Sequence, residues 1–191
     1  MSSTTNINIK FFRAKIIGDT PLICKRNPSV AEVTGSPHKR IWTPWDIYCD
    51  SLYWLTEKPE NPTEAAMEYA RFGYPSAAFK NSAIDAGYGQ GVIQKKALTR
   101  VSFQILETLP EINGKPRFRD DQIRLMPQGS VEHRYRAEFP EWSTVLTFKY
   151  CADWISEDEI IRLMNLGGQV HGIGVWCPAR DGEFGKYHIE A

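Results

Sequence analysis

Ile7, Ile9 and Phe11 alternate with polar residues, and Phe12, Ala14 and Ile16 continue on the opposite parity. Alternation with one switch of parity predicts a strand with a bulge near Phe11–Phe12. Gly18-Asp19-Thr20-Pro21 ends it, and Pro21 to Cys24 is a short apolar continuation. Lys25 to Arg40 holds two prolines, a glycine and a histidine and reads as a loop. Thr43-Pro44-Trp45-Asp46 has a capping residue, a proline suited to the first helical position and an acid to close a capping box. A helix is predicted from there towards Leu52. Thr63 starts a short helix over Glu64 to Phe72, and Pro75 one over Pro75 to Ala86. Gly87, Gly89 and Gly91 then predict a flexible stretch.

Val101, Phe103 and Ile105 share a parity, which predicts a strand within Leu98 to Leu109. Ile112 to Lys115 reads as a turn, and Ile123 to Met126 as a further strand. Trp142, Thr144, Leu146, Phe148 and Tyr150 alternate with mixed residues and predict a strand with one apolar face. Ser156-Glu157-Asp158-Glu159 is a capping box, with Ile155 and Ile160 at staple positions. Ile160, Ile161, Leu163 and Met164 supply a buried helix face. Gly167-Gly168 is expected to stop that helix. Strands are expected over Val170 to Trp176 and Tyr187 to Ile189. Two strand-then-helix arrangements, one early and one late, suggest an α+β, ferredoxin-like antiparallel sheet with packed helices and a C-terminal glycine-rich loop.

The 191 residues fit one domain, with Met1 to Thr5 expected to fray. A hydrophobic fraction of 42% and a charged fraction of 24% can support a core. The formal net charge is zero, which argues against a general duplex-coating protein. Charge is nevertheless uneven: Val92 to Arg136 has nine Lys/Arg against five Asp/Glu, and the remainder to Ala191 has four against nine. Cys24, Cys49, Cys151 and Cys177 form no C-x-x-C pair. Reduced thiols in the cytoplasm of a bacterial host are the expectation, with neither signal peptide nor membrane span.

Six glycines lie between Gly167 and Gly185, with Arg180 inside the run and Lys186 after it. Glycines admit close backbone approach, and with a neighbouring cation they suit phosphate. They suit tight turns equally well, and neither G-x-G-x-x-G nor a P-loop is present. Arg117, Arg119, Arg124, Arg134 and Arg136 are interleaved with Phe118 and Tyr135, a pattern that suits single-stranded nucleic acid. Arg134 and Arg136 share a face. His171 is the one candidate general base. Asp120-Asp121 reads as a solvated turn, and the acids of 153–159 as helix capping. No metal or cofactor is expected.

Phe139-Pro140-Glu141-Trp142, then Gly172-Ile173-Gly174-Val175-Trp176-Cys177-Pro178 and Gly182-Glu183-Phe184-Gly185, resemble a family of small phage and prophage proteins. That family carries G-I-G-x-x-R-P and then G-x-F/Y-G. Cys177 stands where an arginine is common, so that arginine's role does not transfer. Pro21-Leu22, and Pro75 with the helix around Phe79 to Ala86, also fit. A helix followed by a glycine-rich loop is similar, at the level of fold, to the RNA-binding RAMP proteins of CRISPR systems, with their ferredoxin-like core. The resulting expectation is a phage-type, non-catalytic binder of single-stranded nucleic acid, RNA before DNA, or of a nucleotide. Arg134, Arg136, Arg180 and Lys186 would contact phosphate, Tyr135 and Phe184 would stack, and Gly172 and Gly174 would approach the ligand. The alternatives are an anti-defence protein that binds a host protein or sequesters a signalling nucleotide, and a metal-independent RNase using His171. A homo-oligomer is compatible with each.

Overall fold

The computed structural model describes residues 7–26, 42–125, 127 and 129–190. Met1 to Thr5 and most of the loop expected over Lys25 to Arg40 lie outside them, as does Met126. In chain order the elements are β1 (Ile9–Gly18), β2 (Leu22–Ile23), α1 (Pro44–Asp50), β3 (Tyr53–Trp54), α2 (Glu64–Tyr69), β4 (Phe72–Gly73), α3 (Ser76–Gly89), α4 (Lys96–Ser102), β5 (Phe103–Ile105), β6 (Arg117–Arg124), β7 (Val131–Phe139), β8 (Ser143–Cys151), α5 (Glu157–Leu166) and β9 (Tyr187–Ile189).

The fold is α+β. Four strands form an antiparallel sheet in the order β5-β8-β1-β9, and a second antiparallel sheet has the order β2-β7-β6. On one face of the larger sheet Ala14, Ile16, Leu146 and Phe148 are buried with Phe79 and Ala83 of α3 and Ile160, Leu163 and Met164 of α5. The register runs unbroken from Ile9↔Cys151 to Ile17↔Ser143, so β1 has no bulge. The parity switch has another cause: Phe12 packs into the core, whereas Ile7, Ile9 and Phe11 face solvent.

Both capping boxes form. Thr43 accepts from the Asp46 amide and Ser156 from the Glu159 amide, with each acid reaching back to the cap N–H. The Ser156 amide and hydroxyl hold the Glu159 carboxyl below the usual carboxylate range. The box therefore contributes above that range and is lost as pH falls through the lowered value. Ser156→Ala is expected to cost about 1 kcal/mol, read as a lower urea midpoint with an unchanged slope.

Three regions differ from the pattern-based expectation. Residues 96–102 are helical, because Lys96, Ala97, Leu98 and Arg100 are good helix formers; only Phe103–Ile105 of the expected strand pairs with β8. Gly87 and Gly89 lie inside α3, and a Cβ on Gly87 would meet Leu163 at 2.6 Å. The glycine buys close helix packing rather than flexibility. Gly167-Gly168 likewise does not stop α5, which continues as a π-helical turn over Gly167–His171. A Cβ on Gly167 would lie 2.6 Å from the Ala83 backbone. The stop is Gly172 at φ 64°, and with Gly174 at 86° and Trp176 at 57° the expected strand over 170–176 cannot form.

Candidate nucleic-acid interface

The basic, aromatic segment forms the β6–β7 hairpin, with Arg119 opposite Arg136 and Asp121 opposite Arg134. Directly opposed residues share a face, so the hairpin sorts the segment into two unlike surfaces. One carries Arg117, Arg119, Arg134 and Arg136 with Asp121, Glu132 and Glu138. The other carries Phe118, Tyr135 and His133.

The charged surface is a ladder of ion pairs. Asp121 accepts from Arg119 Nε at 2.7 Å and from Arg136 Nη1 at 2.7 Å, and Glu138 accepts from Arg117 Nη2 at 2.9 Å and Arg119 Nη1 at 3.0 Å. The Arg136 side chain is 6% exposed, so this arginine, expected at phosphate, holds the hairpin from inside. Asp120 and Asp121 lie in β6 rather than in a solvated turn. Asp120 pairs with His133 at 2.9 Å. Arg134, 40% exposed, meets Glu132 at 3.2 Å, an exposed contact that a competing anion can displace.

The aromatic surface continues into α1. Ring centroids run Trp45 to Tyr48 at 4.9 Å, Tyr48 to Phe118 at 5.5 Å and Phe118 to Tyr135 at 5.5 Å, and His133 stacks on Tyr135 at 6.1 Å and 22°. Beside this row lies a cleft of about 560 Å³. Residues 132–136 of β7 line it from both surfaces, Glu132, Arg134 and Arg136 from the charged one and His133 and Tyr135 from the aromatic one, and Lys25, Arg26 and Trp42 complete it. Its two carboxylates, Asp50 and Glu132, are already paired with Lys58 and Arg134. Lys25, Arg26 and Trp42 were not among the expected site residues. They are remote from 131–139 in sequence, and Lys25 and Arg26 are delivered there by the pairing of Leu22 with Phe139 and Ile23 with Glu138 and by the Cys24 and Arg26 amides, which donate to Ala137 O and Ser51 O.

The glycine-rich loop is occupied with its own backbone. Gly172 N–H donates to Gly167, Ile173 to Gly185, Gly182 to Cys177, Phe184 to Trp176, Val175 to Ile23 and Gly185 to Pro21. A Cβ on Gly174 would meet the Ile23 carbonyl at 2.7 Å, and one on Gly172 the Pro178 ring at 2.7 Å. These glycines serve the packing of the loop on β2. Cys177, at the arginine position of the resembling family, is buried. Phe184 lies under the Arg119 guanidinium at 4.7 Å, which ties the loop to the charged ladder. Lys186 pairs with Glu183, while Arg180 is exposed on a 3-10 turn over Pro178–Arg180.

His171 Nδ1 donates to its neighbour's carbonyl, Gly172 O, at 3.2 Å, and its Nε2 lies 3.8 Å from Asp85 Oδ2. Neither β6 nor β7 supplies it a partner. His188 meets Asp19 at 2.5 Å. All four cysteines are free and buried. Burial pushes the Cys24 thiol up, and that of Cys49 up to about 11, so neither is an activated nucleophile. Among the described residues no three His, Cys, Asp or Glu side chains are gathered for a metal, and no helix is long and apolar enough to cross a membrane.

No family model and no curated protein matches the chain. Among solved structures, the chain is similar to Cmr6 from Pyrococcus furiosus, with 8% identity and a TM-score of 0.46 over 97% of this chain and 100% of that one. At that level the likeness is one of loose layout and says nothing about a ligand.

Proposed function

We propose that the protein is a non-catalytic binder of single-stranded nucleic acid, RNA before DNA, or of a nucleotide, at the cleft beside α1 and β7. The observation that carries this is the convergence of Lys25 and Arg134 on the same cleft as the stacked His133–Tyr135 pair. Cations neutralise phosphate and aromatic faces stack bases of any sequence. The near-zero net charge limits such a protein to a local, aromatic-led contact rather than a broad electrostatic one. The order β1, α3, β5, β8, α5, β9 with the strands arranged β5-β8-β1-β9 supports a ferredoxin-like core in a single domain. A phage origin and an anti-defence role rest on the sequence resemblance, and a bacterial cytoplasm on that resemblance together with four cysteines that form no C-x-x-C pair.

The test is fluorescence anisotropy with a labelled twelve-uridine oligomer. Wild type is expected to bind at low salt, with log K falling linearly against log salt. Arg134→Ala is expected to make that slope shallower by about 0.7, one single-strand phosphate contact. Tyr135→Ala is expected to cost about 1–3 kcal/mol of binding, the range for one stacked base. No binding of uridine or thymidine oligomers or of free nucleotides at low salt would sink the reading.

A further inference from the structure

The four-stranded sheet has a second face, and its composition is unusual. On β1 the outward positions are Ile9, Phe11, Arg13, Lys15 and Ile17, and their partners on β8 are Cys151, Lys149, Thr147, Val145 and Ser143. Among these Ile9 and Phe11 are exposed, while Cys151 is buried at the end of β8. Phe11 is 58% exposed near the Ile9 end of this face, away from β9, which pairs with Ile16 to Gly18, and Lys149 stands directly across from it. Trp154, 61% exposed, follows β8 and lines a shallow hollow with Ile9 and Lys149.

From this arrangement we infer that the outer face of the β5-β8-β1-β9 sheet is a second contact surface for single-stranded nucleic acid, with Phe11 and Trp154 as stacking platforms and Arg13 and Lys149 as phosphate contacts. The inference rests on the reading of the protein as a single-strand binder, but on residues the cleft does not use. Where β1 runs beyond its pairing with β9, it leaves the large Phe11 ring in water and forgoes its burial, so the ring is better accounted for by a partner than by the fold. The charges select the partner. Arg13, Lys15 and Lys149 share the face with carboxylates that are engaged: Glu190 by Lys15 at 2.8 Å, Glu107 by the Thr147 amide at 2.9 Å and, at the β9 end, Asp19 by His188 at 2.5 Å. Lys149 has no carboxylate partner among the described residues, which leaves positive charge beside the exposed ring. Protein interfaces deplete lysine in their centres, whereas aromatic rings interleaved with cations are the composition that binds single strands. Successive outward residues on β1 are about 7 Å apart, so the track from Ile9 to Ile17 is about 27 Å long, enough for several nucleotides.

The test uses the full-length protein, the twelve-uridine oligomer and two sets of variants. Phe11→Ala and Lys149→Ala are each expected to weaken binding, Phe11→Ala by about tenfold or more. Phe11→Trp is expected to restore affinity, and Phe11→Leu is not, because leucine is apolar but cannot stack. A 4-thiouridine oligomer is expected to crosslink to the peptide containing Phe11. Affinity unchanged within twofold in the Phe11 and Lys149 variants, with Tyr135→Ala still weakened, overturns this inference and leaves the cleft reading standing. The converse pattern overturns the cleft and keeps the sheet face. Absence of any binding by wild type overturns both. A dimer that Phe11→Ala dissociates, with oligomer affinity unchanged, assigns the face to a second copy of the chain and overturns the nucleic-acid assignment.

Discussion

Gly185→Ala is expected to destabilise the protein by about 4 kcal/mol or more, a large part of the stability of an ordinary domain. Gly185 sits at φ 67°, where an L side chain is itself penalised by about 1–2 kcal/mol. Its new Cβ would lie 1.8 Å from the Ile173 carbonyl oxygen, which is backbone and cannot swing aside. Relief requires the two segments to part. Ile173 N–H donates to Gly185 O at 3.0 Å and Gly185 N–H to Pro21 O at 2.8 Å, so parting them breaks the bonds that fasten the loop to itself and to the residue preceding β2. It also lifts Phe184 from Arg119. Gly89→Ala is the control, since a Cβ there meets nothing within 4 Å, and its urea midpoint is expected to move little. Equal midpoints for the two variants would show that the loop is not locked through Gly185.

The same loop shows how far the sequence could be read. Its glycine content marked it as special without separating a ligand cradle from tight packing, because both require the missing Cβ. The distinction lies in what occupies that space: at Gly167, Gly168 and Gly174 it is backbone of Ala83, Tyr187 and Ile23, and at Gly182 and Gly185 it is the loop's own backbone at Trp176 and Ile173. The capped helix before the loop was legible for the opposite reason: Ser156 and Glu159 act on each other across three residues. The strand Ser143–Cys151 was legible because one side is core and the other is not. Where an alternating pattern was shared between two elements, as in Val101, Phe103 and Ile105, parity alone misassigned the helical part. In the candidate site, Tyr135 and Arg134 follow from composition, whereas Lys25 enters through the long-range pairing of β2 with β7 and Trp42 through the packing of α1 on β7, which no local pattern records.

Removing the Asp121 carboxylate is expected to be the most damaging change to the hairpin, at about 3–5 kcal/mol for Asp121→Ala. Asp121 is the shared acceptor of Arg119 and Arg136, and the Arg136 side chain is 6% exposed, so water cannot replace the lost partner. Arg136→Met in the Asp121→Leu background is expected to recover most of the loss, because it removes the stranded cation together with its desolvation cost. Glu132→Gln, which breaks only the exposed pair with Arg134, is expected to cost under about 1 kcal/mol. Urea unfolding of the four proteins, including wild type, checks the set, and a loss below 1 kcal/mol for Asp121→Ala would mean that the ladder does not hold the hairpin. The consequence reaches the opposite surface. Asp121 and Arg134 are directly opposed, and the rings of His133 and Tyr135 flank Arg134 on β7, opposite Gln122 and Asp120. A ladder that fixes the pairing of β6 with β7 therefore also fixes the spacing of the stacking row. Asp121→Ala should weaken oligonucleotide binding at urea concentrations where wild type is still folded, even though no atom of Asp121 faces the cleft.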